Sequence, residues 1–146
     1  MFTGYFAVGG EINGRLAESD NTATCGGGPY TYTVENADTV YDWQDFGPVT
    51  PVFDAETDVT FTFVRTDDSC FEGAVYLAYS GEYDPDNRSV GFLGHADLYY
   101  TPEGFTVTAP AGSSVNLILE SFYGIETEDA LLPGCTVDFI IETDLC

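Results

Sequence analysis

Over most of this chain apolar and polar residues alternate with a period of two, the spacing that sends successive side chains to opposite faces of a pleated strand. Across 59–65 (VTFTFVR), Val59, Phe61 and Phe63 share one face and Thr60 and Thr62 the other. Phe105 and Val107 alternate with Thr106 and Thr108; Phe2, Gly4, Phe6 and Val8 alternate with Thr3, Tyr5 and Ala7. Residues 30–34 (YTYTV) and 40–46 (VYDWQDF) hold the aromatic and β-branched residues that strands favour. Residues 73–80 are apolar on both faces, Val75, Leu77 and Tyr79 against Ala74, Tyr76 and Ala78, which predicts a central position in a sheet. Residues 115–120 (VNLILE) form a second core strand and 136–143 (TVDFIIET) the last.

Turn chemistry separates these runs. Gly9-Gly10, the polar and glycine-rich 13–28, Asn36 to Asp38, Gly47-Pro48, Asp67-Asp68-Ser69, Asp84-Pro85, Pro110-Ala111-Gly112 and the acidic 123–134 all read as turns or loops. No stretch combines an apolar period of 3.6 with helix caps. About eight short strands at intervals of roughly 8 to 12 residues predict an all-β fold, an antiparallel two-sheet β-sandwich of jelly-roll type. Residues 1–28 are expected to form an N-terminal strand and polar segment, an arm able to pair with a neighbouring subunit through Phe2, Phe6 and Val8. Residues 29–146 are expected to form the sandwich.

Composition narrows the setting. The 146 residues suffice for one core, and the formal charge is −22, from 25 acidic residues against three arginines and no lysine. Such a surface repels nucleic acid and anionic membranes. With 44% hydrophobic and 15% aromatic residues it is a folded, acid-coated domain rather than a disordered acidic tail. Nothing approaches a membrane span, and the start, MFTGYFAVGGEING, lacks the basic region of a signal peptide.

Cys25, Cys70, Cys135 and Cys146 include no CxxC pair and only His95 to help them bind zinc. Two disulfides in an oxidising compartment is the reading preferred over four buried thiols. Three pairings are open; Cys70 with Cys135 and Cys25 with Cys146 is preferred because each would tie a strand entry to a distant partner.

Candidate chemistry is sparse. Asp84, Asp86 and Asn87 around Pro85 offer oxygen ligands to calcium, against the plainer reading of a proline-fixed turn capped by its own side chains. Asp67, Asp68 and Asp97 would form a second calcium candidate if their loops converge. Trp43, Tyr41, Tyr99 and Tyr100 are candidates for a platform on which a sugar or polymer stacks, against the reading of ordinary core or rim. Asn87-Arg88-Ser89 is a glycosylation sequon. No catalytic residue is predicted: a triad would have to use His95, and there is no GxSxG elbow.

The middle of the chain resembles the bacterial pre-peptidase C-terminal domain family, β-sandwich appendages of secreted proteases and surface proteins. The family's "fDtxLyLy" strand has its counterpart in Phe71-Glu72-Gly73-Ala74-Val75-Tyr76-Leu77 and its "GxFDPxNP" loop in Gly81-Glu82-Tyr83-Asp84-Pro85-Asp86-Asn87. Leu93-Gly94-His95-Ala96-Asp97 follows, then Phe105 through Gly112 and Val115 through Phe122, so the likeness runs in order over 30–143. Glu72 stands where the family has Asp, and its NDD-like acidic pair is reduced to Asp97. The resemblance implies a non-catalytic accessory domain outside the cytoplasm that binds a polymer, a protein or calcium. The alternative expectation is a structural subunit that assembles with copies of itself into a fibre or layer by strand addition.

Overall fold

The computed structural model describes residues 10–16, 25, 32–64, 74–96, 104–121 and 135–146 in full, and residues 2–5 and 97 through their backbone. Among the described residues there are nine strands and no helix. They are β1 (Phe2–Tyr5), β2 (Gly10–Leu16), β3 (Val34–Pro48), β4 (Thr57–Phe63), β5 (Ala74–Ser80), β6 (Phe92–Asp97), β7 (Gly104–Ala109), β8 (Val115–Ser121) and β9 (Thr136–Leu145). Every pairing is antiparallel.

The pairs β1·β9, β3·β8, β4·β7 and β5·β6 are nested, as in a long hairpin ribbon folded over on itself. Folding that ribbon gives a four-stranded sheet, β1-β9-β4-β7, and a five-stranded sheet, β2-β3-β8-β5-β6. This is jelly-roll order, with β2 added at one edge. Both strands that precede residue 28 belong to the sheets, β1 at the edge beside β9 and β2 at the edge beside β3.

The alternation read from sequence sets the core. Val59 and Phe61 of β4, Val107 of β7 and Phe139 of β9 are fully buried, facing Tyr76, Leu117 and Leu119 from the opposite sheet. Phe61 stacks on Phe105 at 5.0 Å, and Phe139 meets Tyr76 edge to face at 5.0 Å. Aromatic pairs in these geometries add about 0.5–1.5 kcal/mol each beyond their burial. On the outer face of the four-stranded sheet, Thr60 and Thr106 share a 2.9 Å hydrogen bond, and Asp58 lies directly across from Asp144.

The five-stranded sheet is covered on its outer side as well. Val75, Leu77 and Tyr79 of β5 and Ile118 of β8 make a second buried cluster with Leu16, Tyr32, Tyr83 and Phe92. Strands β5 and β8 are thus interior strands buried on both faces, in agreement with the expectation for 73–80.

Several expectations are corrected, among them the turn at Gly47-Pro48, which are the last two residues of β3. A loop over 13–28 and a turn at Asn36 to Asp38 were anticipated, yet β2 runs to Leu16 and β3 runs unbroken through Asn36. GEINGRL has poor intrinsic strand propensity, and the cross-strand ladder to β3 overrides it. The turn signal survives as a bulge: the register jumps between Asn13 and Arg15, with Gly14 at φ 78° and Asn36 at φ 52° in the left-handed region. Tyr32, expected in a strand, lies outside one and is buried in the second cluster.

A disulfide joins Cys25 to Cys146, with Cα atoms 5.5 Å apart and a sequence separation of 121. Cys135 is also disulfide-bonded; Cys70, its expected partner, lies outside the described residues.

Candidate binding site on the outer face of the five-stranded sheet

The β5–β6 connection, 81–91, is built by its own turn chemistry. The Asp84 carbonyl accepts the Asn87 N–H at 3.1 Å, and Asp84 Oδ1 accepts the Asp86 N–H at 2.9 Å. The Asn87 carbonyl then accepts the Val90 N–H at 3.2 Å. This fixed loop turns two side chains inward. Tyr83 enters the second cluster, edge to face with Tyr79 at 5.0 Å and with Trp43 at 5.1 Å. Arg88 reaches across to β2, where its Nη2 donates to the Asn13 carbonyl at 2.7 Å and Nη1 to the Gly14 carbonyl at 3.0 Å. These are the carbonyls flanking the bulge, so the irregularity of β2 is what receives the guanidinium.

Beneath Arg88 lies a buried carboxyl. Glu120 of β8 is fully buried, and its Oε1 accepts the Leu16 N–H at 2.7 Å. The Tyr32 hydroxyl lies 2.7 and 2.6 Å from the two carboxyl oxygens and accepts an N–H from Arg88 Nη1 at 3.1 Å. Arg88 also sits 5.0 Å above the Tyr32 ring, within cation–π range. Burial pushes the Glu120 carboxyl above its ordinary value, while the hydrogen bonds from Tyr32 and Leu16 and the charges of Arg88 and Arg15 oppose that rise. The Tyr32 hydroxyl is pushed up, first by burial and then by Glu120. The buried Tyr83 hydroxyl has no hydrogen-bond partner among the described residues.

Two grooves open beside this assembly. One, of about 450 Å³, has Gly10, Ile12, Trp43 and Pro85 as its apolar lining, with Glu11, Asn13, Asp86 and Arg88 as its polar members. The other, of about 460 Å³, lies across the Trp43–Tyr83 contact and includes Asp45, Glu82, Tyr83 and Asn116. Trp43 is half-buried. A Cβ placed on Gly10 would come within 2.8 Å of the indole Nε1 and Cε2, so the ring is packed directly against the Gly10 backbone.

The remaining sequence candidates disperse. Tyr41 is buried at 3% exposure, which leaves no ring face for a ligand. Asp84, Asp86 and Asn87 are exposed and hold their own turn. Asp97 pairs with Val75 through its backbone. Phe2 of β1 pairs with Phe139 of β9 through its backbone. Asp67, Asp68, Tyr99, Tyr100, Phe6 and Val8 lie outside the described residues. His95 on β6 stands with its ring 6.5 Å from that of Phe92.

Among the described residues, the group that brings three potential metal-ligand atoms within 4.8 Å is Cys25, Asp58 and Cys146. Both sulfurs are committed to the disulfide and are not thiolates. Asp58 instead accepts the Cys25 N–H at 3.1 Å and the Thr108 hydroxyl at 2.7 Å.

Sequence reasoning passed over Glu120, Tyr32 and Arg88. One signal was available: a glutamate closing the apolar run VNLIL sits where a strand buried on both faces has no water to offer. No family model, no curated protein and no solved structure matches this chain.

Proposed function

We propose that this chain is a non-catalytic binding module working outside the cytoplasm, of the pre-peptidase C-terminal kind it resembles, which grips an extended polymer across the Trp43 groove. The observation that carries this reading is the half-buried indole of Trp43, braced by Gly10 and Tyr83 and lining an open groove. The Cys25–Cys146 disulfide supports an oxidising compartment, and the acid coat supports a partner that is not a polyanion. The test is co-sedimentation with insoluble polysaccharides and with fibrous protein, comparing wild type and Trp43→Ala. Capture by at least one polymer, lost in the variant while its circular dichroism is unchanged, is the expected result. Equal capture of both proteins would remove the groove from the account.

A second reading, self-assembly by strand addition, draws on β1. Four residue pairs, Phe2 with Phe139 to Tyr5 with Thr136, attach this short strand to the sheet edge. The same ladder forms if β1 comes from a neighbouring copy, as in domain swapping. Sedimentation that is independent of concentration, and unchanged when residues 1–9 are deleted, would dismiss it.

A further inference from the structure

Resting on the groove reading above, we propose that the ligand of the Trp43 groove is a neutral, hydroxyl-rich saccharide, seated with a C–H face of the sugar ring on the indole. The groove has two kinds of wall. Trp43, Ile12 and Pro85 give apolar surface, and Asp86, Glu11 and Asn13 give polar groups beside it. A pyranose ring has the matching division: axial C–H bonds on one face, attracted to the negative face of an indole, and equatorial hydroxyls at its perimeter. Carboxylates accept hydroxyl protons and donate none, so the Asp86 carboxylate selects a ligand that brings donors.

Competing ligand classes fit less well. Arg88 is the cation at this groove, and its guanidinium is already engaged by the Asn13 and Gly14 carbonyls, the Tyr32 hydroxyl and the Tyr32 ring. Those hydrogen bonds take up three of its five N–H groups, and the net charge of −22 repels polyanions before they arrive. A cationic peptide would be drawn by the surface charge and by Glu11 and Asp86, with Arg88 opposing it, and oligolysine in the titration below tests that class directly. A purely apolar ligand would leave the polar margin desolvated and unpaired. A neutral saccharide satisfies both walls.

Gly10 is a positioning residue in this account. Its missing side chain lets the indole lie against the β2 backbone; a methyl group there would push the ring out of place.

Trp43 is the single tryptophan of the chain, so tryptophan fluorescence reports the surroundings of this one ring. The intact, oxidised protein is titrated with neutral oligosaccharides of glucose, N-acetylglucosamine, mannose and xylose, with a sulfated polysaccharide, and with oligolysine. At least one neutral oligosaccharide is expected to shift the emission saturably to the blue. Calorimetry is expected to show binding weakened about three- to tenfold by Asp86→Asn, as when a charge-assisted hydrogen bond becomes a neutral one, and abolished by Trp43→Ala. Gly10→Ala, with an unchanged melting temperature, is expected to weaken binding by displacing the indole. A saturable shift with oligolysine or the sulfated polymer and none with neutral sugars overturns the saccharide while leaving the groove as the binding site. Emission unmoved by the whole panel overturns the saccharide too. If, in addition, Trp43→Ala sediments with a polymer as wild type does, the groove reading falls with it.

Discussion

Replacing Glu120 by glutamine should change how stability depends on pH more than it changes stability at any one pH. The carboxyl is fully buried, and burial raises its folded-state pKa above the ordinary value. For a group shifted that way the folded protein holds its proton longer than the unfolded chain. The resulting stability is complete below the ordinary carboxyl value and is lost as pH rises through the folded value. Within that window the loss amounts to about 1.4 kcal/mol per pH unit, the free energy of one proton bound in the folded but not the unfolded state. The side-chain amide introduced by Glu120→Gln would keep an oxygen for the Leu16 N–H and the Tyr32 hydroxyl but could not ionise. At pH 4.5, the ordinary carboxyl value, the variant should be within about 1 kcal/mol of wild type, the worth of one imperfect neutral hydrogen bond.

As pH rises, repulsion among the other carboxylates erodes both proteins alike, so the difference between them isolates Glu120. The assay is urea unfolding of oxidised protein at a series of pH values, with midpoints compared at equal m. Wild type should fall more steeply than Glu120→Gln above pH 4.5, so that the variant gains on it as pH rises. Parallel curves across the whole range would refute the reasoning, because they would mean that Glu120 takes up its proton equally in the folded and unfolded states.

Other perturbations test neighbouring parts of the structure. Tyr32→Phe removes the hydroxyl shared by Glu120 and Arg88 and should cost about 2–3 kcal/mol; a double-mutant cycle with Glu120→Gln should show coupling, and simple additivity would contradict a shared network. Tyr83→Phe deletes a buried hydroxyl with no partner among the described residues and should be neutral or stabilising by up to about 1 kcal/mol, whereas a clear loss in urea would show that the hydroxyl is bonded in solution. Cys25→Ser with Cys146→Ser opens a link between positions 121 apart and should cost up to about 5 kcal/mol in the chain-entropy account, read as a lower urea midpoint. Asp144→Asn relieves the charge directly opposite Asp58 and should stabilise by about 0.3 kcal/mol in low salt, a gain that sodium chloride at about 1 M should erase by screening.

The sandwich was legible because its strands are long enough for alternation to repeat. Val59, Phe61, Phe105, Val107 and Phe139 all point where period two sends them, and they are the inner faces of β4, β7 and β9. Strand β2 was illegible for a physical reason: glycine, asparagine and glutamate give it no propensity of its own, and it exists through β3. The aromatic candidates on β3 part company for a related reason. Tyr41 and Trp43 have the same parity on β3, so periodicity treats them alike; what separates them is that Tyr41 is covered and Trp43 borders a groove. Sequence alternation assigns a face and is silent on what covers it.

The same limit hid the Glu120 network, and the scarcity of basic residues gives it its meaning. With 25 acids and three arginines, a chain selected only for a repulsive surface would leave its few cations anywhere on that surface. Instead Arg15 and Arg88 both oppose the rise in the pKa of Glu120, and each links two segments: the Arg15 side chain pairs with that of Glu35 on β3, and Arg88 clasps the bulge carbonyls from the 81–91 loop. A buried carboxyl adds little net stability even when well bonded, and its best-attested use is to fix one arrangement among several. Here that arrangement is the docking of β2, Tyr32 and the 81–91 loop onto the outer face of the five-stranded sheet. These are also the segments that frame Trp43, so the groove owes its shape to a polar lock beneath it rather than to the sandwich core.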